Sequence, residues 1–393
     1  MSRLFFKDAR VVRPPAREPE DIMPGALLVA GGTILGDQGV FTPEASEIID
    51  CGGDYLFPGL VDLHLHGGLG RDAMEGTPEA FSAILAYHAS RGTTTALLST
   101  VSSDRASLVR VLETGGVYAS GSGEARFEGL HLEGPYFSPV MTGAHRAAEI
   151  RAPSATETRS LMDHAAVIRR VTLAPEIPGC LDLVRELTAR GIAVSAGHSN
   201  ASEQEARDGF AAGITQATHL YNAMSSLRKE AGRRCAGLAE TALITPGILC
   251  ELIADGHHLP SSLLRLAWLA KGWAGIALVS DATAGAGLGE GSSFDLGGTS
   301  CRVESEGAWT GEGSDRRLAG SISSLIGGVR IMVERAGVPL AEAVAMASHV
   351  PARSLGISGE RGSLLPGKLA DIVRVGSDWE VKGVWIGGER TDA

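Results

Sequence analysis

The sequence predicts a (β/α)8 barrel with a small β-sandwich domain assembled from both ends of the chain. Strand-like and helix-like segments alternate through the middle, eight strands can be counted there, and short strand-like runs recur at both termini. Alternating strands and helices imply parallel pairing, and a barrel of this type needs about 250 residues. The 393 residues therefore accommodate a barrel at 58–361 and a smaller domain from 1–57 and 362–393.

Eight short apolar or β-branched runs make up the predicted barrel, and each is followed by enough chain for a helix. These runs are the segment within Pro58–Gly67, Thr93–Thr100, Glu128–Glu133, Arg170–Leu173, Ile192–Ala196, Ile214–His219, Cys250–Ala254 and Ile276–Ser280. Thr77 before Pro78 predicts a helix start, because a hydroxyl can cap a first turn that a proline opens. Ser202 and Glu205 have capping-box spacing and predict another.

Both ends of the chain contain short apolar or β-branched runs that are separated by Gly, Pro and Asp. The runs are Leu4–Val12, Ala26–Ala30 and Glu47–Ile49 near the start, and Leu369–Val375 and Val381–Ile386 near the end. A few short strands cannot bury their own faces. We therefore expect the two ends to pair into one small β domain beside the barrel.

Composition indicates a globular protein without a nucleic-acid or membrane surface. The formal net charge of −11 at pH 7 disfavours polyanions and anionic lipids, so an anionic substrate requires local basic groups. The most apolar window, Ser262–Val279, contains Arg265 and Lys271 and is too interrupted to span a bilayer. Five well-separated cysteines and an amino terminus without a signal-peptide pattern favour a cytoplasmic location.

The first predicted barrel strand ends in the pattern His-x-His, formed by His64 and His66. Side chains two positions apart on a strand project from the same face. Imidazole is the commonest nitrogen ligand of metal ions in proteins, so the pair is half of a candidate metal site. Taken alone, the pattern fits two histidines that flank a buried strand end equally well.

Four further strand ends carry residues that bind metals or transfer protons. They are Glu133 at the end of the third strand, His198 after the fifth, His219 at the end of the sixth and Asp281 at the end of the eighth. In a (β/α)8 barrel these ends meet at the face where catalysis takes place. One carboxylate and two imidazoles with an open position match a catalytic zinc-type site, and the His-x-His pair allows a second ion bridged by Glu133.

A series of motifs follows in order between about Gly52 and Val373. They are Pro58–Asp62, His131–Pro135, Gly143–His145, Leu173–Glu176, Gly197–Ala201, Thr218–Met224, Ile253–Gly256 with His258, Asp281–Thr283, Leu318–Ser321 and Pro366–Asp371. In their order and number they resemble the motifs of N-acetylglucosamine-6-phosphate deacetylases, within the amidohydrolase superfamily. The resemblance implies a metal-dependent (β/α)8 barrel, a small β-sandwich from both termini, and a homodimer.

The resemblance also implies a reaction and a role for each strand-end residue. It makes Glu133, His198 and His219 the principal metal ligands, Asp281 the catalytic acid/base, and His145 a contact to the substrate amide. The His-x-His pair matches positions that hold a second metal in some members and are amides in single-metal members. The metal is expected to be Zn²⁺, one or two per subunit, with Fe²⁺ as the alternative. Metal-activated water would deacetylate N-acetylglucosamine 6-phosphate to glucosamine 6-phosphate and acetate.

The same resemblance identifies candidate substrate contacts, and one of them departs from the family pattern. The contacts it implies are Ala144, His145, Asn222, Ala223, Leu318, Ala319 and Gly320. His258, with His257 as the neighbouring alternative, matches a phosphate-binding histidine. Arg234 is the best match to a phosphate-binding arginine that often reaches in from a neighbouring subunit, but Gly232–Gly237 lacks the family's proline. Alternatives to it are Arg228, Lys229 and Arg233, or no more than a solvated basic loop.

Three other functions remain open. The departure near Arg234 leaves deacetylation of N-acetylgalactosamine 6-phosphate as an alternative. Another amidohydrolase acting on a small N-acyl or cyclic amide commonly carries a carboxylated lysine after the fourth strand, whereas Ala174–Glu176 offers none. A catalytically silent binding barrel is expected to have lost Asp281 or a ligand, and none is missing.

Three further histidines lie away from the predicted strand ends. His88, His164 and His349 are expected to have structural roles or to lie on the surface.

Overall fold

The computed structural model describes residues 3–13, 22–36, 46–305 and 307–391 of the 393-residue chain. Parts of the predicted 1–57 and 362–393 segments lie outside the described residues. The elements follow the predicted order, with strands at both ends of the chain and alternating strands and helices between them. The division of the chain at 57/58 and 361/362 stays a prediction.

The strands and helices are numbered along the chain. The strands are β1 (Arg3–Val12), β2 (Ile22–Ala30), β3 (Thr33–Gly36), β4 (Ser46–Asp50), β5 (Tyr55–Pro58), β6 (Leu60–Leu65), β7 (Gly67–Gly68), β8 (Arg71–Asp72), β9 (Thr93–Ser99), β10 (Arg126–Glu133), β11 (Ile168–Leu173), β12 (Ala193–Ala196), β13 (Gln216–Ala217), β14 (Arg228–Glu230), β15 (Arg233–Cys235), β16 (Leu249–Ile253), β17 (Ile276–Val279), β18 (Ser293–Leu296), β19 (Thr299–Glu304), β20 (Gly307–Thr310), β21 (Arg317–Leu318), β22 (Ile372–Val375), β23 (Val381–Ile386) and β24 (Glu389–Arg390). The α-helices are α1 (Pro78–Ser90), α2 (Arg105–Val117), α3 (Ala155–Asp163), α4 (Cys180–Thr188), α5 (Glu203–Ala212), α6 (Leu238–Ile244), α7 (Ser261–Lys271), α8 (Leu325–Glu334), α9 (Leu340–Ala347) and α10 (His349–Ser354). Short 3₁₀ turns lie at Ala73–Glu75, Ala147–Glu149, Trp273–Gly275 and Gly313–Asp315.

Eight parallel strands form the predicted barrel. Their order is β6, β9, β10, β11, β12, β13, β16 and β17, and every neighbouring pair is parallel. The barrel closes where Leu65 at the end of β6 forms a parallel bridge with Ala282. The Asp281 amide also donates to the His64 carbonyl at 2.9 Å. All eight carboxyl ends therefore meet at one mouth, as the sequence predicts.

The sixth barrel strand is shorter than its sequence suggests. The predicted run was Ile214–His219, whereas β13 covers only Gln216–Ala217. His219 adopts a positive φ of 28°, which ends the extended conformation. The chain consequently leaves the sheet at the residue whose side chain belongs to the predicted site.

The predicted helix caps are confirmed. The Thr77 side chain accepts from the Ala80 amide at the start of α1. Ser202 and Glu205 form the reciprocal capping box of α5. Each cap satisfies amide groups that the first helical turn leaves without a backbone partner.

Both chain ends contribute to one eight-stranded sheet, which confirms the predicted pairing of the termini. Its order is β24, β23, β22, β5, β1, β2 and β3, with β4 paired to β1. The antiparallel pair β5–β22 joins residues of the first sixth of the chain to its last strands. Phe6 and Trp385 pack edge to face in its buried core, with ring centroids 4.8 Å apart.

Asp371 fastens this sheet to the barrel. Its carbonyl accepts from the Gly59 amide at 2.8 Å, between β5 and β6. Its carboxylate binds the Arg126 guanidinium of β10 with contacts of 2.6 and 2.7 Å. A large apolar cluster between the barrel strands and the surrounding helices completes the core. Asp371 therefore links the terminal sheet to the segment before β6 and to the start of β10.

Two smaller sheets follow barrel strands at the mouth of the barrel. An antiparallel sheet of β18, β19, β20 and β21 follows β17, and the hairpin β14–β15 follows β13. Neither the sheet nor the hairpin is predicted from the sequence, although the basic residues Arg228, Lys229, Arg233 and Arg234 of the hairpin are. Among the helices described, none has the length and apolar character needed to cross a lipid bilayer.

Candidate active site

A cavity of about 350 Å³ opens at the carboxyl ends of the barrel strands. Most of the predicted site residues line it: His66, Glu133, Ala144, His145, His198, His219, Asn222, Ala223, His258, Asp281, Leu318 and Gly320. Further lining residues are Val101, Val140, Met141, Thr142, Gly143, Ile253, Leu296 and Arg317. Residues scattered over more than half of the sequence therefore meet at one place.

Glu133, His198 and His219 form the first potential metal-binding group. The Oε1 atom of Glu133 lies 3.1 Å from His198 Nε2 and 3.0 Å from His219 Nε2. The two imidazole nitrogens are themselves 3.1 Å apart. His198 Nδ1 lies 2.9 Å from the Met141 carbonyl, an acceptor only, so the proton belongs on Nδ1 and the Nε2 lone pair faces the cavity.

His64, His66 and Glu133 form the second group, which shares the carboxylate with the first. The Nε2 atoms of the two histidines are 3.1 Å apart. Glu133 Oε1 lies 3.5 Å from His64 Nε2, and its Oε2 lies 3.3 Å from His66 Nε2. His64 is fully buried and lies below the cavity wall, whereas His66 lines the wall.

The donor geometry of both groups fits a divalent ion. Two imidazole nitrogens bound to one tetrahedral zinc at about 2.0–2.1 Å lie about 3.3 Å from each other. The observed nitrogen–nitrogen separations of 3.1 Å are close to that value. Two neutral imidazoles whose lone pairs face each other do not attract, so this close approach is better explained by a shared cation. Imidazole and carboxylate are also the ligand types that zinc and iron accept. The residues present therefore fit a metal centre with one or two ions.

Three of the predicted ligand and acid/base residues have unusual backbone conformations, as does the predicted substrate contact Ala223 with a φ of 45°. His198, His219 and Asp281 have φ values of 49°, 28° and 49°, a region that residues other than glycine seldom adopt. Each lies two residues after the last residue of β12, β13 or β17. Such conformations cost roughly 1–3 kcal/mol each and concentrate at functional sites. The strain turns each side chain from its strand into the mouth of the barrel.

Asp281 lies against the second group. Its Oδ1 is 3.4 Å from His64 Nε2 and 3.2 Å from His66 Nε2. Burial alone would raise the pKa of Asp281, but the two imidazoles outweigh burial and hold the pKa at about 2. Likewise, burial opposes a charge on His66, yet Asp281 and Glu133 raise its pKa to about 9. The cluster attracts positive charge, as a cation site must.

His145 presents a proton to the centre of the cavity. Its Nδ1 accepts from the Ser102 backbone amide at 3.0 Å, so the ring proton belongs on Nε2. Nε2 then donates toward Glu133 Oε2 at 3.2 Å. Burial lowers the pKa of His145 to about 4, which keeps the ring neutral. His145 is therefore a fixed N–H donor beside both groups.

Two predicted contacts do not line the cavity. Ala319 is buried behind it, and its amide donates to the Ala308 carbonyl at 2.9 Å. Arg234 is exposed on β15 and lies outside the cavity wall of its own chain. Its assignment stays a prediction that requires a second subunit. Arg317 of β21, which no sequence motif indicated, does line the wall.

His258 rather than His257 faces the cavity. His258 Nδ1 lies 2.7 Å from Asp255 Oδ2, while His257 is exposed. Burial opposes the charge of His258, but Asp255 outweighs burial and raises its pKa above the usual value. A cationic imidazole is suited to an anionic substrate group.

Glycines give the loops of the site the close approach they need. A Cβ on Gly143 would lie 2.8 Å from His198 Cε1, and one on Gly320 would lie 2.8 Å from the Asp281 carbonyl oxygen. Both glycines also have positive φ values, of 56° and 58°. Side chains at these positions would displace a predicted ligand or the predicted acid/base.

Other polar residues of the predicted motifs have supporting positions. Glu176 accepts from the Ser199 hydroxyl at 2.7 Å and the Asn200 amide at 2.6 Å, so it fixes the loop after His198. His131 is buried between the hydroxyls of Ser99 and Thr172 and does not reach the cavity. The sequence could not distinguish these orienting positions from contacts in the cavity.

Comparison with known proteins agrees with this geometry. A sequence profile described as "Amidohydrolase family" matches residues 55–391. An N-acetylglucosamine-6-phosphate deacetylase of Vibrio furnissii is 33% identical over 91% of this chain and 88% of its own. An N-acetylgalactosamine-6-phosphate deacetylase of Escherichia coli O157:H7 is 35% identical over 92% of this chain and 93% of its own.

A solved N-acetylglucosamine-6-phosphate deacetylase from Pasteurella multocida superposes with a TM-score of 0.91, at 31% identity and over 100% of both chains. The chain belongs to the N-acetylglucosamine-6-phosphate deacetylase family of amidohydrolases. This amidohydrolase accordingly has the barrel and the terminal β domain that its sequence predicts, and it is a hydrolase. Amidohydrolases are typically metal-dependent, and the two His/Glu groups of this one can bind a metal.

Proposed function

We propose that the protein hydrolyses the acetamide bond of N-acetylglucosamine 6-phosphate to give glucosamine 6-phosphate and acetate. The observation that carries the proposal is the convergence of Glu133, His198, His219 and Asp281 on one cavity in a chain of this family. Four residues scattered over about 150 positions have no structural need to meet there. Relatives named for this reaction cover nearly the whole chain.

We propose Glu133, His198 and His219 as the principal metal ligands, with His64, His66 and the shared Glu133 as a second site. A divalent ion in such a site polarises a carbonyl oxygen and lowers the pKa of water towards neutrality. Zn²⁺ is the proposed ion because imidazole and carboxylate ligands suit it, and Fe²⁺ is the alternative.

Asp281 is the proposed acid/base. Its pKa of about 2 keeps the carboxylate ionised near neutral pH, so it is ready to accept a proton from the attacking water. Once protonated, the same carboxyl can deliver that proton to the departing amine, which otherwise leaves poorly. The Nε2–H of His145 points into the same space and is placed to stabilise the negative charge that develops on the amide oxygen.

The remaining cavity residues are proposed to bind the sugar phosphate. Ala144, Asn222, Ala223, Leu318 and Gly320 would contact the sugar and the acetyl group. His258 supplies a positive group for the phosphate, which a chain of net charge −11 must provide locally. Arg234 would add a second cation from the partner subunit of a homodimer.

A cytoplasmic location is proposed from the cysteines. Cys51, Cys180, Cys235, Cys250 and Cys301 are all free. Unpaired thiols are typical of proteins in a reducing compartment. No nucleic-acid or membrane partner is proposed.

The proposal is tested by measuring amine and acetate release from N-acetylglucosamine 6-phosphate by the Zn²⁺-loaded protein. Three comparison substrates are its galacto epimer, phosphate-free N-acetylglucosamine, and a cyclic amide such as a hydantoin. We expect the largest kcat/KM for the gluco phosphate. A preference for the galacto epimer would favour the function of the Escherichia coli relative. Preference for the cyclic amide, or no turnover of any substrate, would refute deacetylation.

A further inference from the structure

A buried ion pair crosses the interior of the barrel beneath the two metal-binding groups. It joins Arg170 of β11 to Glu251 of β16, and these residues are 1% and 0% exposed. Two strands, β12 and β13, separate β11 from β16 in the sheet, so the contact spans the interior instead of following the wall. Neither residue lines the cavity.

Arg170 fixes the orientation of the Glu251 carboxylate. Its Nη1 donates to Glu251 Oε1, and its Nη2 donates to Ser195 Oγ at 2.9 Å and Thr218 Oγ1 at 3.2 Å. The guanidinium is thereby held by a residue of β12 and by the residue that follows β13. Oε2, the other carboxylate oxygen, remains for contacts above the pair.

Glu251 Oε2 contacts one predicted ligand from each metal-binding group. It accepts from the His219 backbone amide at 3.1 Å and lies 3.4 Å from His64 Nδ1. A carboxylate oxygen accepts only, so the His64 contact is attractive only when the proton is on Nδ1. In that tautomer the lone pair of Nε2 points at His66 Nε2 and Glu133, where an ion would lie.

Of the four proposed histidine ligands, His64 is the one whose Nδ1 lies beside a carboxylate. His66 Nδ1 has no hydrogen-bond partner among the described residues, and His198 uses a backbone carbonyl instead. A buried ion pair is commonly no more stabilising than apolar residues of the same volume. Its presence beneath the ligands is better explained by orientation than by stability.

We propose that Glu251, held by Arg170, is a positioning residue that fixes the tautomer of His64 and so determines whether the second group binds an ion. This proposal rests on the metal ligands of the proposed function but not on the substrate. Loss of the Glu251 charge should weaken binding of the second ion by about 10- to 100-fold, the usual effect of losing a carboxylate partner of a histidine ligand. Binding of the first ion should change much less.

The test compares the metal-stripped full-length protein with Glu251→Gln and with the double variant Arg170→Met/Glu251→Leu, which leaves no unpaired buried charge. Asp371→Asn is the matched control, because it weakens another guanidinium–carboxylate pair away from the site. Each protein is dialysed against graded free Zn²⁺ and the bound ions per subunit are counted by mass spectrometry. Co²⁺ absorption spectra report the ligand field of each ion.

We expect the wild type and Asp371→Asn to bind a second ion with the same affinity. Both site variants should bind that ion about 10- to 100-fold more weakly and keep the affinity for the first ion nearly unchanged. Unchanged two-ion binding in either site variant would overturn the proposal. So would equal weakening of both ions, or a wild type that saturates at one ion. His64→Gln shows what loss of the second ion looks like, and circular dichroism confirms folding. Because no substrate is present, failure of the deacetylase assay leaves this result unaffected.

Discussion

The two candidate metal-binding groups share Glu133 but are built in different ways. His64 and His66 lie two positions apart on one strand, and their backbones are ordinary strand or strand-end conformations. His198 and His219 come from separate strands and reach the site through positive φ values of 49° and 28°. A local pattern thus provides one group, and chain topology with local strain provides the other. The difference predicts that the two groups respond differently to mutation.

The largest expected effect is that of Glu133→Gln, which removes the ligand common to both groups. Turnover should fall by more than about 10⁴-fold, beyond most losses of a single acid/base group, because both ions are affected. Bound metal should fall with it. Metal analysis beside the steady-state assay checks this expectation, and a variant that keeps two ions and high activity would contradict the shared role.

Asp281→Asn should abolish proton transfer while leaving both ligand groups in place. We expect kcat to fall by about 10²- to 10⁴-fold, the range for loss of a general acid/base. Metal content should stay near the wild-type value, since Asp281 contacts the histidines without belonging to either group. Full activity in this variant, measured as acetate release, would exclude the assigned role.

His66→Asn separates the groups, because it removes a ligand from the second only. We expect one ion to remain and activity to fall by about 10- to 100-fold, as when a supporting partner is lost. His219→Asn is the comparison variant and should remove the principal ion and more activity. Equal losses in the two variants would show that the groups act as one unit.

Arg234→Ala and Arg317→Ala test how the phosphate is bound. We expect Arg234→Ala to raise KM for the phosphorylated sugar by about tenfold or more, the effect of losing one charge-assisted hydrogen bond. KM for the phosphate-free sugar should stay unchanged. Arg317→Ala is the matched control from the cavity wall of the same chain. If only Arg317→Ala discriminates between the substrates, the Arg234 assignment fails.

The smallest expected effect is on the pH dependence of stability, and it comes from His88, which belongs to neither group. His88 is buried with Nε2 2.9 Å from the Gly67 carbonyl, and burial lowers its pKa to about 4. The unfolded chain takes up a proton near pH 6.5 and the folded protein does not, so His88 destabilises the fold as pH falls from 6.5 towards 4. Between pH 7 and pH 5 the free energy of unfolding of the wild type should fall by about 2 kcal/mol more than that of His88→Gln. Urea unfolding of both proteins at the two pH values measures this difference, and identical pH dependences would contradict it.

The sequence predicted the barrel and most of the site because both depend on local signals placed in order. Strand-like runs and the residues after them identified Glu133, His198, His219 and Asp281. Arg170 and Glu251 were missed as a pair, because 81 positions separate them and neither lies at a strand end. Glu251 is the one charged residue of β16, which indicates burial with a partner without naming that partner. Arg170 follows another arginine in β11, so the sequence does not single it out.

Arg234 shows a different limit of the sequence. Its motif placed it at the phosphate, whereas the described chain has it exposed on a hairpin outside the cavity. A motif match gives a position in the sequence but not a position relative to the cavity, so the role of Arg234 stays a prediction. The sheet of β18–β21 was missed for a simpler reason, since its strands are short, at two to six residues each.

The positive φ values of His198, His219 and Asp281 have a consequence for how such a chain would change over generations. Glycine would occupy these three positions with less strain, so each is held against a local preference worth roughly 1–3 kcal/mol. A lineage released from selection for this chemistry should therefore shed these side chains early and gain thermal resistance as it does. The expected descendant keeps the barrel fold, lacks catalytic activity and unfolds at a higher temperature.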